Sequence, residues 1–426
     1  MDCKRIEKLV QSYTSGETPR YPVDGITRND RVVGALLGAF IGDALGNGCL
    51  WYYDLRDLWE SYGLWIDGYR DPQRDRPQNE MIEIAAYKYK MGLRAGFASQ
   101  TGQLLRLTLE SLLRCKGFDR SDYVMSVENF FREEILPTAQ FEIGKEMSTV
   151  GKTYCGEGIS CFSGRYTNRE VRENFDLWYH GGKMDGNWSC DSTVSTTTTS
   201  DGAQMAIPLA CIYSSPLDLI EHGWEFLRCW YSDGVVLTQS LSFLLTLQGI
   251  LNGVSLENMM EYLTETAFGS GELGKKLSSF DDITLCARFV SVAKHRACYS
   301  FDDRFAPLLF GENCHVTSVL SCASYLAYTH IGDFKKTVLS AVNGGGQNMA
   351  RAAIAGALGG AMTGIREISG ELIQGLQDYP TAIPKGYESL GSWLLEKAGL
   401  LSALVQDKAS ETGPKNIMRS DASCEG

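Results

Sequence analysis

Glycine recurs at every fourth position in two segments that lie some three hundred residues apart. Near the N-terminus Gly34, Gly38, Gly42 and Gly46 are in step, within GALLGAFIGDALG. Near the C-terminus Gly356, Gly360 and Gly364 are in step, within GGGQNMARAAIAGALGGAMTG. Residues four apart share one face of an α-helix, so each segment offers a ridge without side chains. A glycine inside a helix costs about 1 kcal/mol relative to alanine. Seven of them at helical spacing predict that close backbone packing offsets that cost.

The remaining pattern is that of a globular chain. Of 426 residues, 44% are apolar and 22% charged, enough to build a sizeable core. A net charge of −12 excludes nucleic acid and anionic membrane as main partners. No apolar run reads as a membrane span of about 18 residues. The first twenty residues lack the apolar stretch of a signal peptide, which predicts a cytoplasmic protein. Thirteen cysteines at irregular spacing include no C-x-x-C pair, so reduced thiols packed as small hydrophobes are expected.

Helical periodicity dominates and no strand pattern stands out. The expected fold is all-α, one compact domain with loop insertions. Residues 1–28 read as an N-terminal extension and 29–404 as the domain. Residues 144–204 read as a loop-rich insertion, and 405–426 as a disordered tail. Asn29 or Asp30 is the expected cap of the first core helix. Residues 66–80 read as a polar loop, and Thr101–Cys115 as a buried leucine-rich helix.

The first ridge runs into Gly42-Asp43-Ala44-Leu45-Gly46 and then Trp51-Tyr52-Tyr53-Asp54. A second motif is Ser99-Gln100-Thr101-Gly102-Gln103-Leu104. A third is Gly345-Gly346-Gln347-Asn348-Met349-Ala350-Arg351-Ala352. With these motifs in this order, the chain resembles the ADP-ribosylglycohydrolase family. Asn348, Arg351 and the tryptophan after the first helix are closest to the branch containing the J-crystallins and selenoprotein J. The resemblance covers about residues 30–370.

That resemblance implies hydrolysis of a bond to ADP-ribose, assisted by two Mg²⁺ ions on carboxylates of the second and third motifs. Here Gln103 and Gln347 stand where acids are expected, and Met349 replaces another acid or a small residue. An amide oxygen brings no negative charge, and Mg²⁺ gives up its water reluctantly. The expectation is therefore a pseudoenzyme with no metal cofactor and a structural, crystallin-like or ligand-binding role. The alternative is an active hydrolase removing ADP-ribose from protein or small-molecule conjugates. Ser99, Gln100, Gln103, Gln347, Asn348 and Met349 mark the vestigial pocket. Asp43, Trp51 and Arg351 are the candidates for contacting ADP-ribose or a related nucleotide, although Asp43 reads equally well as a structural tie.

Other features read as structural. Gly269–Lys276 nearly spells a phosphate-binding loop but lacks its final hydroxyl and follows a helix, not a strand. Cys314-His315 reads as a helix start. Asp281-Asp282 and Asp302-Asp303 read as caps or solvated turns.

Overall fold

The computed structural model describes residues 25–73, 89, 92–135, 168–180, 194–269, 285–294, 302–378 and 383–411. The chain runs through α1 (Arg28–Asn47), α2 (Leu55–Tyr62), α3 (Gln100–Cys115), α4 (Arg120–Phe130) and α5 (Arg169–His180). It continues with α6 (Asp201–Met205), α7 (Ile207–Ile212), α8 (Pro216–Leu227), α9 (Gly234–Leu251) and α10 (Met259–Gly269). Then come α11 (Leu285–Lys294), α12 (Ala306–Phe310), α13 (Val316–Thr329) and α14 (Phe334–Asn343). The last are α15 (Asn348–Thr363), α16 (Gly370–Gln374) and α17 (Leu390–Glu411). The fold is all-α; β-structure among the described residues is confined to isolated bridges such as Tyr52 to Gly346.

The two glycine ridges form the central contact. Helices α1 and α15 lie against each other along their lengths. A Cβ added at Gly34 would strike the carbonyl oxygen of Gly360, and one at Gly38 that of Gly356. Gly42 meets the Ala352 carbonyl and Gly46 the Met349 backbone. Rising residue numbers on one helix meet falling numbers on the other, so the helices are antiparallel. Gly364 ends α15 with φ +71°, a conformation that favours glycine, and its α-carbon faces Ile26 and Asp30. Around this pair pack α13, α14 and α17, with α9 behind α15.

Several expectations are corrected in detail. Thr27 caps α1, not Asn29 or Asp30. Its hydroxyl accepts from the Asp30 N–H, and the Asp30 carboxylate accepts from the Thr27 N–H and hydroxyl, a full capping box. Helix α17 continues through 405 to Glu411, so the expected tail does not begin at 405. Inside the segment read as loop-rich, Arg169–His180 forms α5 because Val171, Phe175 and Trp178 share one buried face. Contrary to the hydropathy reading, α9 is by length and composition an 18-residue candidate membrane span. It is wrapped in core, with 89% of that window buried.

Asp281-Asp282, read as a cap or turn, and residues 270–276 of the glycine-rich turn lie outside the described residues. Asp302 caps a short 3₁₀ turn, whereas Asp303 meets the His330 ring at 2.8 Å. His315 caps α13 by accepting from the Thr317 N–H. Among the described residues the cysteines are free thiols.

Candidate functional site

The first two motifs meet through Asp43. Its carboxylate accepts from the Ser99 N–H at 2.7 Å and from the Ser99 hydroxyl at 2.5 Å. The same hydroxyl accepts from the Gly102 N–H and so caps α3. A side chain at Gly102 would meet an Asp43 oxygen at 2.6 Å, which explains glycine in the second motif. Asp43 thus ties α1 to the start of α3. One turn later, Asn47 donates to the Phe97 carbonyl at 3.1 Å.

Trp51 joins the third motif. Its backbone N–H donates to the Gly346 carbonyl, and the Gly346 N–H donates to the Tyr52 carbonyl. A Cβ at Gly345 would strike the Tyr52 carbonyl, and one at Gly346 would crowd Glu312, so the paired glycines are needed for this approach. Both have positive φ, as does Trp51 at +67°. A tryptophan in that region is strained and must be held there. Its indole N–H donates to Gln347 Oε1 at 2.7 Å, and the ring packs with Leu50 and Met349 in a small apolar cluster separate from the main core.

The remaining third-motif residues serve the scaffold. Asn348 donates from Nδ2 to the carbonyls of Cys49 and Val342. Arg351 is fully buried, donating to the Ala341 carbonyl at 3.0 Å and the Gly345 carbonyl at 2.5 Å. It therefore holds the α14–α15 turn from within.

The second motif also touches a cluster that sequence reasoning missed. Gln100 Oε1 accepts from the Asn168 N–H. The Thr101 hydroxyl donates to Asp201 Oδ1 at 2.5 Å, and Asn168 Nδ2 reaches both Thr101 and Asp201. Glu170, on the first turn of α5, accepts from the Thr199 hydroxyl at 3.2 Å. Glu170 is 1% exposed and Asp201 5%. Burial, and then the charge of Asp201, hold the Glu170 carboxyl well above the usual range; burial also raises Asp201. Glu170 sat inside an apparent loop. The signal that could have placed it was the 171, 175, 178 apolar stripe.

A pair of Mg²⁺ ions needs several carboxylate oxygens within octahedral reach. The six vestigial positions carry none. The Gln347 oxygen is taken by Trp51, the Gln100 oxygen by Asn168 and the Ser99 hydroxyl by Asp43. Gln103 is half-buried on α3, and Met349 is packed in the apolar cluster. No group of three or more His, Cys, Asp or Glu gathers for a metal among the described residues. These positions do not fit a dinuclear magnesium centre.

A family model described as ADP-ribosylglycohydrolase matches residues 24–409. The chain belongs to that family. Among curated proteins none matches it. A solved structure titled "ADP-ribosylglycohydrolase-related protein complex" is similar, with a TM-score of 0.54 and 17% identity. The match covers 89% of this chain and 99% of that one, and at this identity it speaks for the fold alone. The ADP-ribosylglycohydrolase scaffold is thus kept, with the buried acid pair lying beside its second motif.

The acid pair makes stability depend on pH. A free glutamate titrates near 4.3. A folded-state pKa above that value contributes stability below about pH 4, and this is lost as pH rises through the folded value. Glu170→Gln removes the titration. In chelator-treated buffer, the variant should gain on the wild type as pH rises from about 4 through neutrality, read as urea midpoints across pH. A difference that stays flat would mean Glu170 is ionised at ordinary pH.

Proposed function

We propose that this ADP-ribosylglycohydrolase-family chain has lost magnesium-dependent hydrolysis and keeps the scaffold for a structural, crystallin-like or ligand-binding role. The observation that carries this reading is the third motif. Gln347 replaces an acid, its oxygen is held by the Trp51 indole, and Met349 and Leu50 fill the adjoining space. Arg351, the candidate for contacting a phosphate, is occupied with backbone carbonyls.

The test is an assay of ADP-ribosyl conjugates with Mg²⁺. No turnover above buffer is expected; magnesium-dependent release of ADP-ribose would overturn the reading. Calorimetry with ADP-ribose then separates the roles, since binding supports a ligand-carrying protein and silence a structural one.

Restoring acids gives a companion prediction. Gln103→Asp with Gln347→Asp in a Glu170→Gln background should raise Mg²⁺ affinity at least tenfold by calorimetry, because each carboxylate adds a charged oxygen ligand. No gain would show that these two positions do not share a site.

A second reading, an active hydrolase, is favoured by one observation. Glu170 and Asp201 are a buried carboxyl pair beside the second motif, and such pairs can divide into acid and base at neutral pH. Their burial argues against substrate contact. Metal-independent turnover abolished by Glu170→Gln would establish this alternative.

A further inference from the structure

Where α5 meets α6, buried oxygens gather around two carboxyl groups. Asp201 Oδ1 accepts from Thr101 and Asn168, and Glu170 Oε2 from Thr199. Glu170 Oε1 is buried and makes no well-formed hydrogen bond. Gln204 stands three residues after Asp201 on α6, hence on the same helix face. Its Nε2 leans on the Ser200 hydroxyl at 3.5 Å, while its Oε1 is buried without a partner. The Tyr231 ring packs on Gly202, and its hydroxyl lies beside Thr199 within the influence of both carboxyls. Burial and the neighbouring charge of Asp201 are the leading influences on Glu170, and burial leads at Asp201. A buried oxygen without a donor costs about 1–3 kcal/mol. Several in one place, around two acids, call for a positive charge.

We propose that Glu170 and Asp201, with the side-chain oxygens of Thr199, Gln204 and Tyr231, form a site for one hard divalent cation that pins α5 to α6. Carboxylate, amide and hydroxyl oxygens are the ligands such ions prefer. The site uses none of the vestigial positions and implies no hydrolysis. A single ion among two carboxylates and neutral oxygens needs fewer acids than a dinuclear centre. Cys314, an exposed thiol, lies close enough to feel both acids.

The experiment is calorimetry on the full chain, stripped with chelator, using CaCl₂, MgCl₂ or MnCl₂ alone. One ion per chain is expected for at least one metal, with an affinity at least tenfold weaker in both Glu170→Gln and Asp201→Asn. No binding of any of the three, or unchanged binding in the variants, would overturn the proposal. If the variants fail to fold, the wild type still decides. The outcome is independent of the hydrolysis assay, which alone decides whether catalysis survives.

Discussion

Gly38→Ala is expected to destabilise the protein by about 3 kcal/mol, the upper part of the range for overpacked cores. The added carbon would overlap the carbonyl of Gly356, which is backbone and cannot rotate away. The reverse change, Gly356→Ala, meets the Gly38 carbonyl and should be equally harmful. Gly399→Ala is the control. That residue lies on the exposed side of α17 with nothing within 4 Å of an added Cβ, so the change should stabilise by up to about 1 kcal/mol. Urea midpoints measure all three. A loss below about 1 kcal/mol for Gly38→Ala would mean that α1 and α15 can part without penalty.

Arg351→Met should be nearly as damaging, by about 3 kcal/mol. It keeps the apolar stem but leaves the carbonyls of Ala341 and Gly345 without their donor in the core. Arg351→Lys should recover only part of the loss, because one ammonium cannot span both carbonyls as the planar guanidinium does. Denaturation midpoints and proteolysis at the α14–α15 turn give the readout. If Arg351→Met keeps wild-type stability, the guanidinium is free for ligand contact.

Much of the fold was legible because it depends on spacing. Glycines four apart predicted a close helix pair, and the structure gives it a register, Gly34 with Gly360 and Gly38 with Gly356. The leucine-rich α3 was equally plain. One miss was local: Thr27 capped α1 ahead of Asn29 and Asp30 because Asp30 could close the box from within the helix. Most of what stayed hidden depends on neighbours distant in sequence or on misleading surroundings. Helix α5 was masked by the glycine- and serine-rich chain around it, and with it Glu170. Asp201 follows a threonine run, and nothing local shows that Glu170 comes to lie beside it. The substitutions at Gln103, Gln347 and Met349 were visible at once. The role of Trp51 in holding the Gln347 amide was not, since 296 positions separate them.

The antiparallel ridge also sets an order of events during synthesis. Helix α1 leaves the ribosome some three hundred residues before its partner α15. Until then the glycine face of α1 has no mate, and glycine-rich helices have little intrinsic tendency to persist alone. Contacts so distant in sequence slow folding and lengthen the exposure of apolar surface. A nascent chain stalled before Asn348 should therefore hold α1 unprotected against protease or hydrogen exchange. The same helix should become guarded only once Gly360 has emerged.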